Sequence, residues 1–186
     1  MGVTDALRKW IVGAQAQGVS VPHQAGASVW PPLPDDPFVL FLDIDGVLHR
    51  AENGSLEWMP HLNQLLDAFP ALALVLSTNW RLNVTQEAML ALFPQSIRMR
   101  IHGATPDLSD GAPFLREREC RAWANKHGVL RYVALDDEPA AFRPGCDFLL
   151  VTNRYDGLDA SMRDTCILEL TRRGCARANE KSPVRF

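Results

Sequence analysis

Apolar residues gather along this chain in short unbroken runs, and the strongest runs end on polar residues. PFVLFLDID from Pro37, ALALVLSTN at 71–79, RYVALDD at 131–137 and DFLLVTN at 147–153 have the form of strands buried on both faces. IRMRIHGA, at 97–104, is a weaker run of the same kind. Stretches of helical pattern fall between them, at about 59–69, 84–93, 116–127 and 159–173. This alternation predicts an α/β fold, a parallel sheet with helices on both faces. Three strands would deliver polar residues to their carboxyl ends: Asp43 and Asp45, Ser77 to Asn79, and Asp136 with Asp137. Open α/β sheets bind ligands at that edge.

The pattern upstream is different. Residues 5–17 suit a short helix with a thin apolar face, and Val21–Pro37, ending WPPLPDDP, is rich in turn formers and proline. Residues 1–37 are therefore read as an extension or arm, 38–178 as one catalytic domain and 179–186 as a tail.

Composition narrows the class. With 186 residues, 47% hydrophobic and 22% charged, the chain suits one soluble globular domain. A formal net charge of −3 provides no overall basic field for nucleic acid, although a local patch is compatible with that total. Cys120, Cys146, Cys166 and Cys175 form no C-x-x-C pair and are expected to be reduced, mostly buried thiols. The N-terminus lacks a long apolar region, and Ala6 stands where myristoylation wants Ser or Thr. No stretch approaches the ~20 apolar residues of a membrane span. The expected location is the cytoplasm, with no membrane partner.

Asp43-Ile44-Asp45-Gly46 carries the chemistry. Residues i and i+2 near a strand end point to one side, so two carboxylates share a small site. That is unfavourable unless a cation binds or one acid is protonated. Magnesium takes such oxygen ligands together with phosphate and water. A carboxylate nucleophile can form an aspartyl-phosphate, and a second acid can protonate the leaving group and later activate water. Gly46 permits the turn that must follow.

With these residues in view, the chain resembles the haloacid-dehalogenase (HAD) superfamily. PFVLFLDIDGVLHR is similar to its first motif, LVLSTNWR to its second, LRERECRAW to its third and YVALDDE to its fourth. The resemblance implies a Rossmann-like sheet and a magnesium-dependent phosphatase. It makes Asp43 nucleophile and metal ligand, and Asp45 general acid/base and, through its carbonyl, a metal ligand. Ser77, with backbone N–H groups and Thr78, would orient the phosphoryl group, and Asp136 and Asp137 would complete the Mg²⁺ site. Either Arg116 or Arg118 fills the third-motif cation position, with Arg116 favoured. Arg81 would reach substrate phosphate or pin the loop. Trp58, Trp80 and Trp123 are expected in the core or wall. His49, His61, His102 and His127 are expected on the surface or in loops, with His49 the exception to watch, three residues after Gly46 in the entrance turn, and Glu138 is expected as a solvated loop acid.

The branch most resembled is the capless one, related to phosphatase modules of polynucleotide- and RNA-repair proteins. The intervals from Asp45 to Ser77 and from Ser77 to Arg116 already hold core connections and leave no room for a folded cap. What remains after Gly46 is a flap of about His49 to Trp58, with a turn at Glu52-Asn53-Gly54. An open site suits a large phosphorylated substrate, with a nucleic-acid end preferred over a phosphoprotein. The competing readings are a catalytically silent HAD-like binding module and phosphotransfer to an acceptor other than water.

Overall fold

The computed structural model describes residues 30–50 and 55–178. The expected helix at 5–17 and the turn at Glu52-Asn53-Gly54 lie outside the described residues. Five strands, β1 (Phe38–Leu42), β2 (Leu72–Leu76), β3 (Ile101–Ala104), β4 (Arg131–Asp136) and β5 (Leu149–Val151), form one sheet in the order β3-β2-β1-β4-β5. Every pairing is parallel. The helices are α1 (Met59–Ala68), α2 (Gln86–Leu90), α3 (Gln95–Arg98), α4 (Leu115–Lys126) and α5 (Ala160–Arg172).

The unbroken apolar runs become strands because both faces of the sheet are covered. All five residues of β1 and all five of β2 are buried. Alternation divides them between two cores. Phe38, Leu40 and Leu42 pack with Leu62, Leu65 and Leu66 of α1 and with Cys166 and Leu170 of α5. Val39 and Phe41 face Cys120, Trp123 and Ala124 of α4. The result is the three-layer α/β architecture expected of a Rossmann-like fold, with no cap domain among the described residues.

Local chemistry sets the helix ends. Pro60 sits in the first turn of α1, where its missing N–H costs nothing. Asp159 caps α5 by accepting from the Met162 N–H at 2.8 Å, and Thr85 caps α2 through the Ala88 N–H at 3.2 Å.

Two expectations need correction. The run at 97–104 is not one strand: Ile97 and Arg98 end α3, and β3 begins only at Ile101. Pro94 opens that helical turn, and buried Ile97 anchors it to the core. The helix expected at 84–93 is confined to Gln86–Leu90, with a 3₁₀ turn at Asn79–Leu82 before it. Residues 30–37 run irregularly against the domain. The Pro31 carbonyl lies 3.1 Å from His102 Nδ1, and Arg131 reaches the Asp36 carbonyl at 2.6 Å.

Candidate active site

Register brings the polar strand ends together. Leu42 stands level with Leu76 and with Leu135, so Asp43, Ser77 and Asp136 emerge side by side. The backbone ladder continues one step past the strands. The Asp43 N–H donates to the Leu135 carbonyl (3.1 Å), Ser77 to Leu42 (2.8 Å) and Thr152 to Asp136 (3.0 Å). Strand order reverses at β1, the topological switch point where α/β sheets open a crevice.

Asp43, Asp136 and Asp137 each offer a carboxylate oxygen, all within 4.8 Å of one another. Asp43 and Asp136 are buried, and Asp43 Oδ1 and Asp136 Oδ2 have no hydrogen-bond partner. Burial pushes the Asp43 carboxyl up to about 6. Arg116 opposes the shift, and the charges of Asp45 and Asp137 add to it. Asp136 is held well above the carboxylate range, first by burial and then by Asp43. Asp137 is raised as well, by burial, with Arg154 countering. Buried oxygens that accept no hydrogen bond and face only the Arg116 guanidinium, in an all-oxygen set, fit a hard divalent cation such as magnesium.

Gly46 permits this crowding. It has φ +69°, and a Cβ there would overlap the Asp137 carboxylate. Any other residue would displace one wall of the cluster.

Asp45 is held apart from the three-acid cluster. The Trp80 indole N–H donates to its Oδ2 at 2.7 Å, and His49 Nε2 lies 3.2 Å from its Oδ1. His49 Nδ1 is 2.5 Å from the Arg50 carbonyl, an oxygen that only accepts. Nδ1 therefore carries a hydrogen, and Nε2 faces the Asp45 carboxylate at ion-pair distance. Burial alone would lower the imidazole pKa, but Asp45 and the Arg50 carbonyl raise it overall. His49 does lie in the turn after Gly46, as a loop placement requires, but it is fully buried and not on the surface. The turn after Gly46 folds back, with the Gly46 N–H donating to the His49 carbonyl at 2.9 Å, and carries the ring inward.

The helix α4 supplies the cation. Arg116 is buried, donates to the Ser77 carbonyl, and lies 3.5 Å from Asp136 Oδ2 and 3.8 Å from Asp43 Oδ1. Burial would lower its pKa, yet Asp43 and Asp136 raise it. Arg118, two residues on, points elsewhere: it pairs with Asp110 and reaches the Ala112 carbonyl at 3.3 Å. No contact joins it to the acid cluster, because residues two apart on a helix face different ways.

Ser77 is buried, its Oγ 3.6 Å from Cys120 Sγ. Burial pushes that thiol up to about 12, so it stays protonated. Thr78 Oγ1 accepts from the Trp80 N–H at 3.3 Å. Arg81 lies within the wall, donating to the carbonyls of Thr78 (2.5 Å), Thr105 (2.9 Å) and Pro106 (3.0 Å), with Glu119 at 2.5 Å. Burial lowers its pKa against the pull of Glu119. Trp58, Trp80 and Trp123 are buried, as expected, and Glu138 is exposed. The four cysteines are free thiols.

Fold and site together define a capless α/β domain of the HAD type, built around a carboxylate cluster able to hold a metal. The family described as the HAD domain in Swiss Army Knife RNA repair proteins matches residues 39–161, and the chain belongs to that family. No curated protein and no solved structure matches it significantly. Among the described residues, no helix is long and apolar enough to cross a membrane.

Proposed function

We propose that this domain is a magnesium-dependent phosphomonoesterase that works through an aspartyl-phosphate on Asp43 and acts on phosphorylated nucleic-acid ends. The observation that carries the reading is the separation of two neighbouring acids. Asp43 sits in the cluster beside Arg116, whereas Asp45 is tied to Trp80 and His49. That separation supports a reading in which one acid attacks and the other moves protons.

Asp43, Asp136 and Asp137 would hold the metal, together with the Asp45 carbonyl. Magnesium there would supply charge neutralisation for the carboxylates and the phosphoryl oxygens. An Asp43 carboxylate oxygen attacks phosphorus, the bond to the leaving oxygen breaks, and Asp45 gives that oxygen its proton. Asp45 then takes a proton from water, which attacks the same phosphorus, releasing phosphate and restoring Asp43. Arg116 and the Ser77 hydroxyl orient the phosphoryl oxygens, helped by N–H groups of the Ser77–Asn79 segment. Arg116 also braces the site through the Ser77 carbonyl.

The substrate class rests on two supports: the family's occurrence in RNA-repair proteins, and a described site without a cap, which a large substrate can cover for itself. The test is phosphate release from 3′- and 5′-phosphorylated oligonucleotides, phosphopeptides, sugar phosphates and an aryl phosphate, with and without chelator. Activity lost on chelation and restored by magnesium is expected, with Asp43→Asn inactive and Asp45→Asn reduced at least ~10²-fold. Turnover by Asp43→Asn at the wild-type rate, or preference for a sugar phosphate by ~100-fold or more, would overturn the reading.

A further inference from the structure

The turn after β5 is fastened to the loop that bears the acids. The Thr152 hydroxyl donates to the Gly46 carbonyl at 2.9 Å, and the Leu158 N–H donates to the Val47 carbonyl at 2.8 Å. Gly157, at φ +51°, lies so close to the Trp58 ring that a Cβ would overlap it. The turn itself is closed by the Gly157 and Asp156 N–H groups on the Asn153 carbonyl (2.7 and 3.1 Å), and Asn153 Oδ1 accepts from the Tyr155 N–H at 2.9 Å.

This fixed scaffold lifts two side chains into solvent. Arg154 is 60% exposed, with Nε 3.8 Å from Asp137 Oδ2, so it stands at the lip of the acid cluster. Tyr155 beside it is 58% exposed. An aromatic ring presented to water contributes little to the core and offers exposed apolar surface for stacking. A guanidinium one residue away suits a phosphodiester. Asp156, also exposed, is the one acid on the same turn.

We infer that Arg154 and Tyr155 form a nucleotide-reading rim, with Tyr155 stacking a base of single-stranded RNA next to the phosphorylated end and Arg154 contacting the adjoining phosphodiester. The inference deepens the proposed nucleic-acid-end reading and rests on it for the substrate. Stacking on aromatic side chains tolerates any base, so the rim would recognise a strand without selecting its sequence.

The test measures binding apart from turnover. Fluorescence anisotropy is read for a labelled single-stranded RNA of about eight nucleotides with a 3′-phosphate, and for its 5′-phosphate counterpart, on the full 186-residue chain carrying Asp43→Asn. Adding Tyr155→Leu is expected to weaken binding at least ~5-fold, and Tyr155→Phe, which keeps the ring, to restore most of it. Arg154→Ala is expected to weaken binding and to flatten the dependence of log K on log salt by about 0.7, the loss of one single-strand phosphate contact. Tyr155→Leu should leave that slope alone. In turnover by the otherwise wild-type chain, both variants should lower the ratio of kcat/KM for RNA to that for an aryl phosphate.

RNA bound equally by parent and rim variants, RNA not bound at all, or RNA and aryl-phosphate turnover lost in equal measure would each overturn the rim. If the wild type hydrolyses no phosphate ester yet the variants weaken RNA binding as described, the rim stands and the phosphatase reading falls.

Discussion

The indole N–H of Trp80 donates to Asp45 Oδ2 at 2.7 Å across 35 positions of sequence. It ties the 3₁₀ turn after β2 to the second acid of β1's motif. A hydrogen bond to a charged group contributes about 1.5–3 kcal/mol, and here it fixes the direction of the acid. Trp80→Phe keeps a ring in the core and deletes the donor. We expect kcat to fall about 10- to 100-fold with little change in KM. Steady-state kinetics on an aryl phosphate checks it, and a change confined to KM would contradict the positioning role.

The two arginines of α4 should behave very differently. Arg116→Ala removes the buried cation between Asp43 and Asp136 and should lower kcat/KM by ~10²-fold or more, as loss of an electrostatic contact to the transition state does. Arg118→Ala breaks a solvent-exposed pair with Asp110, the kind of surface ion pair that contributes little to stability, and should leave turnover near wild type. Equal losses would mean that Arg116 does not face the phosphoryl group.

Gly46→Ala should be among the most damaging conservative changes in the chain. It places a Cβ at φ +69° against the Asp137 carboxylate, and left-handed strain alone costs about 1–3 kcal/mol. The expected outcome is a lowered Tm together with weakened magnesium affinity, read by thermal melts across a metal titration. Wild-type affinity in the variant would remove Asp137 from the metal site.

Without metal, the acid cluster should make the protein less stable as the solution becomes more alkaline. Folded-state values raised for Asp43, to about 6, and for Asp136 mean that their contribution is fully present at low pH and lost as pH rises through those values. His49, also raised, acts in the same direction. Glu117 is held to about 2 despite burial by Arg143 and Arg121, and Glu169 to about 2 by Arg172 and Arg173. Those contributions fade only as pH falls below the ordinary 4.5. Tm of the metal-free chain should therefore climb between about pH 7.5 and about pH 5.5, and magnesium at the higher pH should recover the difference. A flat metal-free profile would contradict it.

Much of this was legible in the sequence for a simple physical reason. A strand buried on both faces must be apolar, so Asp43, Asp45, Asp136 and Asp137 stand out where those runs end. Parallel register then does the rest, since equal strand ends deliver neighbouring residues to one edge. The place of His49, three residues after Gly46, marked it for attention, but its burial was not legible because it depends on a turn that folds the ring back toward Asp45, and a lone histidine has no periodicity to betray burial. Trp80 read as a wall residue, which it is. Its N–H partner lies on another strand, at a distance that no local pattern encodes. The split of the 97–104 run followed from Pro94, whose ψ sends the chain into α3 before β3 can start. Arg154 and Tyr155 sit in a loop, where composition carries no signal of direction.

Asp43, Ser77 and Thr152 each donate their amide hydrogen to the neighbouring strand although they lie beyond its last residue. In hydrogen-exchange terms, these amides belong to the sheet and not to the loops that follow, and should open only with it. The groups at the crevice thus keep their spacing through the ordinary breathing of the surface. An amide at Asp43 that exchanged as fast as one in an open surface loop would contradict this.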